Sequence, residues 1–159
     1  VKIVRPFNTY GPRQSARAVI PTIITQLLNG KNSIELGNLS PTRDLTYVAD
    51  TCHGFLEAYK ADVLFGEVTN IGINSEISIK DLTNMIVRLM DTDITIKSSN
   101  ERIRPENSEV ERLVCDNSKL LMHTSWKQKY TLEQGIAQVI EWMKNPKNLS
   151  CYKAEKYNI

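Results

Sequence analysis

Apolar residues recur along this chain at two alternating periods, and that alternation limits its fold more than any single motif does. Val1–Val4, Ser33–Leu36, Gly66–Gly72 and Asp93–Lys97 are short apolar or every-second-residue runs, the pattern of strands with a buried face. Between and after them stand segments with apolar residues at helical spacing: Ala16–Asn29, Val48–Ala61, Ser78–Met90 and Thr131–Lys144. In the second of these, Val48, Phe55, Leu56 and Tyr59 are expected to form the packed face. A shorter helix is expected over Asn117–His123, Ser78 and Asp81 have capping-box spacing, and the polar tail from Lys147 is expected to fray. Strands alternating with helices through short connections predict an α/β architecture.

With 159 residues, 41% of them apolar, the chain can bury one core. Its 20 basic and 18 acidic residues are interspersed, so no electrostatic footprint for nucleic acid or an anionic membrane exists, and any anion must be met by a few placed side chains. Cys52, Cys115 and Cys151 are far apart and show no short spacing with His53 or His123, which argues against a disulfide framework or a zinc site and suggests the cytoplasm. No apolar run approaches the roughly 18 residues of a membrane span. A strand signal at position 1, a valine, suggests a piece of a longer protein.

A self-contained active site is not visible. The chain has no Gly-x-Gly turn, no Gly-x-Ser-x-Gly elbow and no His-Glu-x-x-His helix. His53 beside Cys52 reads as structural, and Tyr152-x-x-x-Lys156 sits in a polar tail with no apolar face to bury it. What remains is a set of binding groups. Arg43 stands between the Pro41-Thr42 turn and the helix that begins near Val48, where Asp50 in the first turn suits the helix dipole. A guanidinium held there suits a phosphate or carboxylate, a charge-assisted bond worth about 1.5–3 kcal/mol. The competing reading is a surface pair with Asp44 or Asp50, worth about 0–1 kcal/mol. Asn8 and Arg104 add an amide and a second guanidinium for a diphosphate, Glu109 an acceptor for vicinal ribose hydroxyls, and Val19, Ile34 and Leu36 apolar walls for a flat base. Together they propose a nucleoside diphosphate ligand.

Five motifs then resemble, in order and spacing, the C-terminal part of the NAD-dependent epimerase/dehydratase family within the extended short-chain dehydrogenase/reductase group. They are Arg5-Pro6-Phe7-Asn8-Thr9-Tyr10-Gly11-Pro12, Ile20-Pro21, Leu36-Gly37, Arg43-Asp44 through Tyr47-Val48-x-Asp50, and Arg104-Pro105 with Glu109-Val110. The resemblance implies Pro6 and Phe7 near the nicotinamide of NAD, Asn8, Arg43 and Arg104 on the diphosphate of a nucleotide sugar, Val19, Ile34 and Leu36 round the base, and Glu109 on the ribose. It implies Rossmann-sheet elements over 1–12 and 45–74, a nucleotide-sugar-binding domain over 13–44 and 75–150, and a tail over 151–159. The glycine-rich fingerprint and the Tyr-x-x-x-Lys pair belong to the family's N-terminal part, so no catalytic residue is assigned here. The chain alone is expected to be inactive. Within the group the motifs look closest to 4,6-dehydratases, with 4-epimerases and decarboxylases as alternatives and a non-catalytic nucleotide-sugar-binding module as the reading of another class. A homodimer is implied for the full-length protein, with the nucleotide being GDP, UDP or dTDP.

Overall fold

The computed structural model describes residues 1–98 and 110–153. In chain order the first elements are β1 (Ile3–Pro6), β2 (Thr9–Tyr10), α1 (Val19–Leu28), β3 (Ser33–Leu36), β4 (Thr42–Arg43), β5 (Thr46–Tyr47) and α2 (Val48–Lys60). Then come β6 (Val68–Ile71), β7 (Ile77–Ser78), α3 (Ile79–Leu89), β8 (Thr95–Ser98), β9 (Arg112–Leu113), α4 (Ser118–His123), α5 (Leu132–Lys144) and α6 (Pro146–Leu149). Among the described residues the strands form small sheets: β1 with β6, β2 with β5 and β3 with β8, all parallel, and β4 between antiparallel β7 and parallel β9. This is the expected α/β fold.

The main core gathers Ile20, Ile23, Ile24 and Leu27 of α1, Ile34 and Leu36 of β3, Leu82 and Ile86 of α3, and Ile136, Val139, Ile140 and Met143 of α5. A second cluster of Ala58, Ile71, Leu120 and Trp126 joins α2 to β6 and α4. Helix starts follow local chemistry. Ser78 Oγ accepts the Asp81 N–H at 3.0 Å, and at α5 Thr131 and Gln134 complete a reciprocal capping box, each such cap worth about 1 kcal/mol.

Two expectations are corrected. Helix α2 does not bury Phe55, Leu56 and Tyr59, which are 44%, 57% and 81% exposed; it buries Asp50, Thr51, Gly54 and Ala58. Close packing on β6 demands it, because a Cβ on Gly54 would stand 2.8 Å from the Ile71 methyl groups. The chain also does not fray at Lys147. Pro146 opens α6, Asn145 caps it by accepting the Lys147 N–H at 3.0 Å, and Tyr152 is half-buried.

Candidate functional site

Strand β1 ends at Pro6, which is exposed, and the half-buried Phe7 then ties its N–H to Ile71 O at 2.8 Å. Asn8 follows. Its amide Nδ2 donates to Asp44 O at 3.1 Å while its own carbonyl accepts from Thr46 N–H at 3.3 Å, so it is laced to the residue next to Arg43. Arg43 is half-buried in β4 and donates from Nη1 to Thr42 O at 2.8 Å. The fold therefore brings Asn8 and Arg43 into one neighbourhood although 34 residues of sequence separate them.

What fixes that neighbourhood is Asp44, wholly buried, whose N–H donates to Leu113 O at 2.9 Å. Its Oδ1 accepts from Ile73 N–H at 3.1 Å and its Oδ2 from Cys115 N–H at 3.0 Å, so one carboxylate joins the segments after β6 and β9 to β4. The contact is close enough that a Cβ on Gly72 would fall 2.3 Å from Cys115 Cβ. Asp50 does similar work, accepting Lys129 N–H at 3.0 Å and Tyr130 N–H at 3.1 Å, while its carbonyl takes the Trp126 indole N–H at 2.9 Å. The reading of Arg43 as a surface pair with either aspartate is corrected: both carboxylates are buried and bound to main-chain N–H groups. Burial, then the carboxylates of Asp44 and Asp116, push the Cys115 thiol up to about 12, so it stays protonated and packs rather than reacts. Burial also raises the Tyr10 hydroxyl, with Tyr47 and Asp50 adding to it, and that hydroxyl donates to Leu132 O at 3.2 Å.

The three apolar candidates lie together. Val19, first residue of α1, is half-buried against the core that contains Ile34 and Leu36. Ile34 and Leu36 themselves are 0% and 4% exposed, so their side chains are packed among α1, α3 and α5 rather than lining an open surface. The residue that sets β3 against α1 is Gln26, which the sequence reading passed over. Its Oε1 accepts Glu35 N–H at 3.0 Å and its Nε2 donates to Glu35 O at 3.2 Å, replacing a ladder strand along that edge. The signal was present: a lone amide among Ile23, Ile24 and Leu27.

Arg104 and Glu109 lie outside the described residues. The chain on either side of them is described. Before them, β8 pairs Ser98 with Leu36; after them, Glu111 O accepts Thr42 N–H at 2.9 Å and β9 aligns Leu113 with Arg43. On the other side of the small sheet, Glu76 takes the Arg112 Nε at 2.8 Å and the Thr42 hydroxyl, and these bonds, Arg112 first, hold its carboxyl below the usual range. Among the described residues no group of three or more His, Cys, Asp or Glu could hold a metal ion, and no helix is long and apolar enough to cross a membrane.

The model of the GDP-mannose 4,6 dehydratase family matches residues 1–139. The chain belongs to the NAD-dependent epimerase/dehydratase family. A putative UDP-glucose 4-epimerase of Methanocaldococcus jannaschii is 32% identical over 90% of this chain and 45% of its own length. A dTDP-glucose 4,6-dehydratase of Xanthomonas campestris is 30% identical over 85% of this chain and 40% of its own. Among solved structures, UDP-glucuronic acid 4-epimerase from Bacillus cereus, in complex with UDP-glucuronic acid and NAD, superposes with a TM-score of 0.80 at 27% identity, over 90% of this chain and 45% of that one. This epimerase/dehydratase chain thus spans less than half the length of the relatives it matches, and its fold is that of the extended short-chain dehydrogenase/reductases.

Proposed function

We propose that this chain is the substrate-binding part of an NAD-dependent nucleotide-sugar 4,6-dehydratase of the cytoplasm, inactive without an N-terminal Rossmann part. One observation carries the reading. The described chain on both sides of 99–109 is hydrogen-bonded beside Leu36 and Thr42–Arg43, next to the neighbourhood where Asn8 meets Asp44. In this reading Arg104 and Glu109, which belong to the segment joining those two points, would act on the same ligand as Arg43. Two guanidiniums and an amide then meet a diphosphate, and the carboxylate takes the ribose hydroxyls. Val19 borders the base, and Ile34 and Leu36 support that wall from within the core. Of the three proteins compared, the B. cereus epimerase binds a nucleotide sugar and NAD, which fits this ligand class.

The residues present fit NAD in part. Pro6 and Phe7, at the carboxyl end of a parallel strand, offer an apolar wall for its nicotinamide, where α/β sheets bind ligands. The described helices offer no glycine-rich turn for its pyrophosphate, which this reading assigns to the N-terminal part. Bound there, NAD would supply a reversible hydride acceptor for the sugar. This chain's residues hold and orient the nucleotide so that the sugar faces that ring.

The test uses the complete polypeptide that carries this chain. Arg43→Ala should weaken binding of UDP-, dTDP- or GDP-hexose by about 10- to 150-fold in titration calorimetry, the equivalent of about 1.5–3 kcal/mol. A dehydratase releases a product lighter by one water, read by mass spectrometry. A product of unchanged mass favours the 4-epimerase reading, which the M. jannaschii relative supports, and loss of carbon dioxide the decarboxylase reading. Binding without turnover favours a non-catalytic module. Equal binding by Arg43→Ala and the unsubstituted protein sinks the site.

A further inference from the structure

Tyr152 reaches back 138 residues to hold a loop. Its hydroxyl donates to the main-chain carbonyl of Gln14 at 2.8 Å, in the middle of the connection 11–18 between β2 and α1. Gln14 is gripped from the other side too: its Nε2 donates to Thr9 O at 3.2 Å and its N–H to Gly11 O at 3.2 Å. A second turn closes as Ala18 N–H meets Ser15 O at 2.9 Å. Within the first turn Arg13 takes a φ of 68°, a left-handed conformation that a residue with a side chain keeps only where its surroundings enforce it.

Tyr152 is itself fixed. Its N–H donates to Leu149 O at 2.8 Å, its ring stands edge-on to Trp142 at 6.3 Å between centroids, and Asn148 Nδ2 closes on Trp142 O at 2.8 Å. Trp142 packs against the main core. A rigid path therefore runs from the core through α5, Trp142 and Tyr152 to the loop. The two ends of that loop are Asn8–Tyr10 and Val19, the diphosphate side and the base side of the proposed site.

We propose that Tyr152 is a positioning residue for nucleotide-sugar binding: by holding Gln14 it fixes the loop 11–18 and with it the spacing between Asn8 and Val19. This rests on the nucleotide-sugar reading above. Tyr152→Phe keeps the ring against Trp142 and removes only the hydroxyl. Thr124→Ala is the control, since it deletes the two bonds of the Thr124 hydroxyl, to Leu120 O of α4 and from the Trp126 N–H, neither of which has a link to the loop.

In the complete polypeptide, hydrogen exchange at amides 14–18 should speed up severalfold in Tyr152→Phe. The Kd for UDP-glucose, dTDP-glucose or GDP-mannose, whichever the unsubstituted protein binds, should rise about 2- to 12-fold, as expected for one lost hydrogen bond. Thr124→Ala should lower Tm comparably and leave Kd unchanged. Unchanged exchange or unchanged Kd in Tyr152→Phe overturns the proposal, and so does an equal rise in Kd for Thr124→Ala. If none of the three probes binds the unsubstituted protein, the nucleotide-sugar reading falls; faster exchange in Tyr152→Phe then still supports the loop clamp, and unchanged exchange removes it.

Discussion

Asp44 decides where Arg43 can be. A fully buried carboxylate that accepts two main-chain N–H groups from segments 29 and 71 residues away acts as a knot, and its removal exposes the cost of each strand of the knot. Asp44→Ala leaves the Ile73 and Cys115 N–H groups buried without acceptors, a loss of about 2–5 kcal/mol, read as a lower urea midpoint. Asp44→Asn keeps one acceptor and should lose roughly half as much; equal midpoints for the unsubstituted protein and Asp44→Ala would refute the knot. None of this was legible beforehand. In the sequence an aspartate beside an arginine looks like its ion partner, and only the burial of Asp44 shows that its partners are distant backbone groups. Gln26 was hidden for the same reason, since its partner is the main chain of Glu35 and backbone acceptors leave no trace in residue types.

Elements were more legible than residues. The period-two run Ser33–Leu36 is β3 as expected, and the helical spacings give α1, α3 and α5 within a few residues, because each buries a continuous apolar stripe. The two-residue strands β2, β4, β5 and β7 are too short to carry a periodicity, yet β4 holds Arg43 and β2 and β5 flank Asn8 and Asp44. Helix α2 shows the other failure, an apolar face turned outward because its inward face must be small. The sheet β7-β4-β9 offers a pH test. Glu76 bridges Arg112 and Thr42 across it, and its carboxyl titrates below its ordinary 4.5 in the fold. A depressed acid stabilises the fold above the unfolded value and loses that contribution as pH falls through the folded one. Glu76→Gln should therefore lower Tm at pH 7, and the deficit should shrink as pH drops below 4.5. A deficit that stays constant to pH 3 would mean that the shape of Glu76, rather than its charge, matters.

At the scale of the whole molecule, one region does not look finished. Parallel strands are ordinarily covered on both faces, yet β1 pairs with β6 alone among the described strands and leaves Ile3 about half exposed. Beside it Phe55, Leu56, Tyr59 and Phe65 are exposed, and a groove of about 480 Å³ opens between Lys2, Val4, Phe55, Ala58, Tyr59 and Phe65. Contiguous apolar surface of this kind marks an interface. Under the function proposed above its occupant would be an N-terminal part of the same polypeptide, because the relatives it matches are about twice as long. Leu56→Lys tests this by comparing two polypeptides. In residues 1–159 alone the side chain already faces water, so the urea midpoint should hardly move. In the complete polypeptide the same lysine would be buried against the added part, costing about 2–5 kcal/mol through the lost leucine alone, with the charge adding to it. A small effect in both would leave this face bare and remove the argument that an N-terminal part packs there.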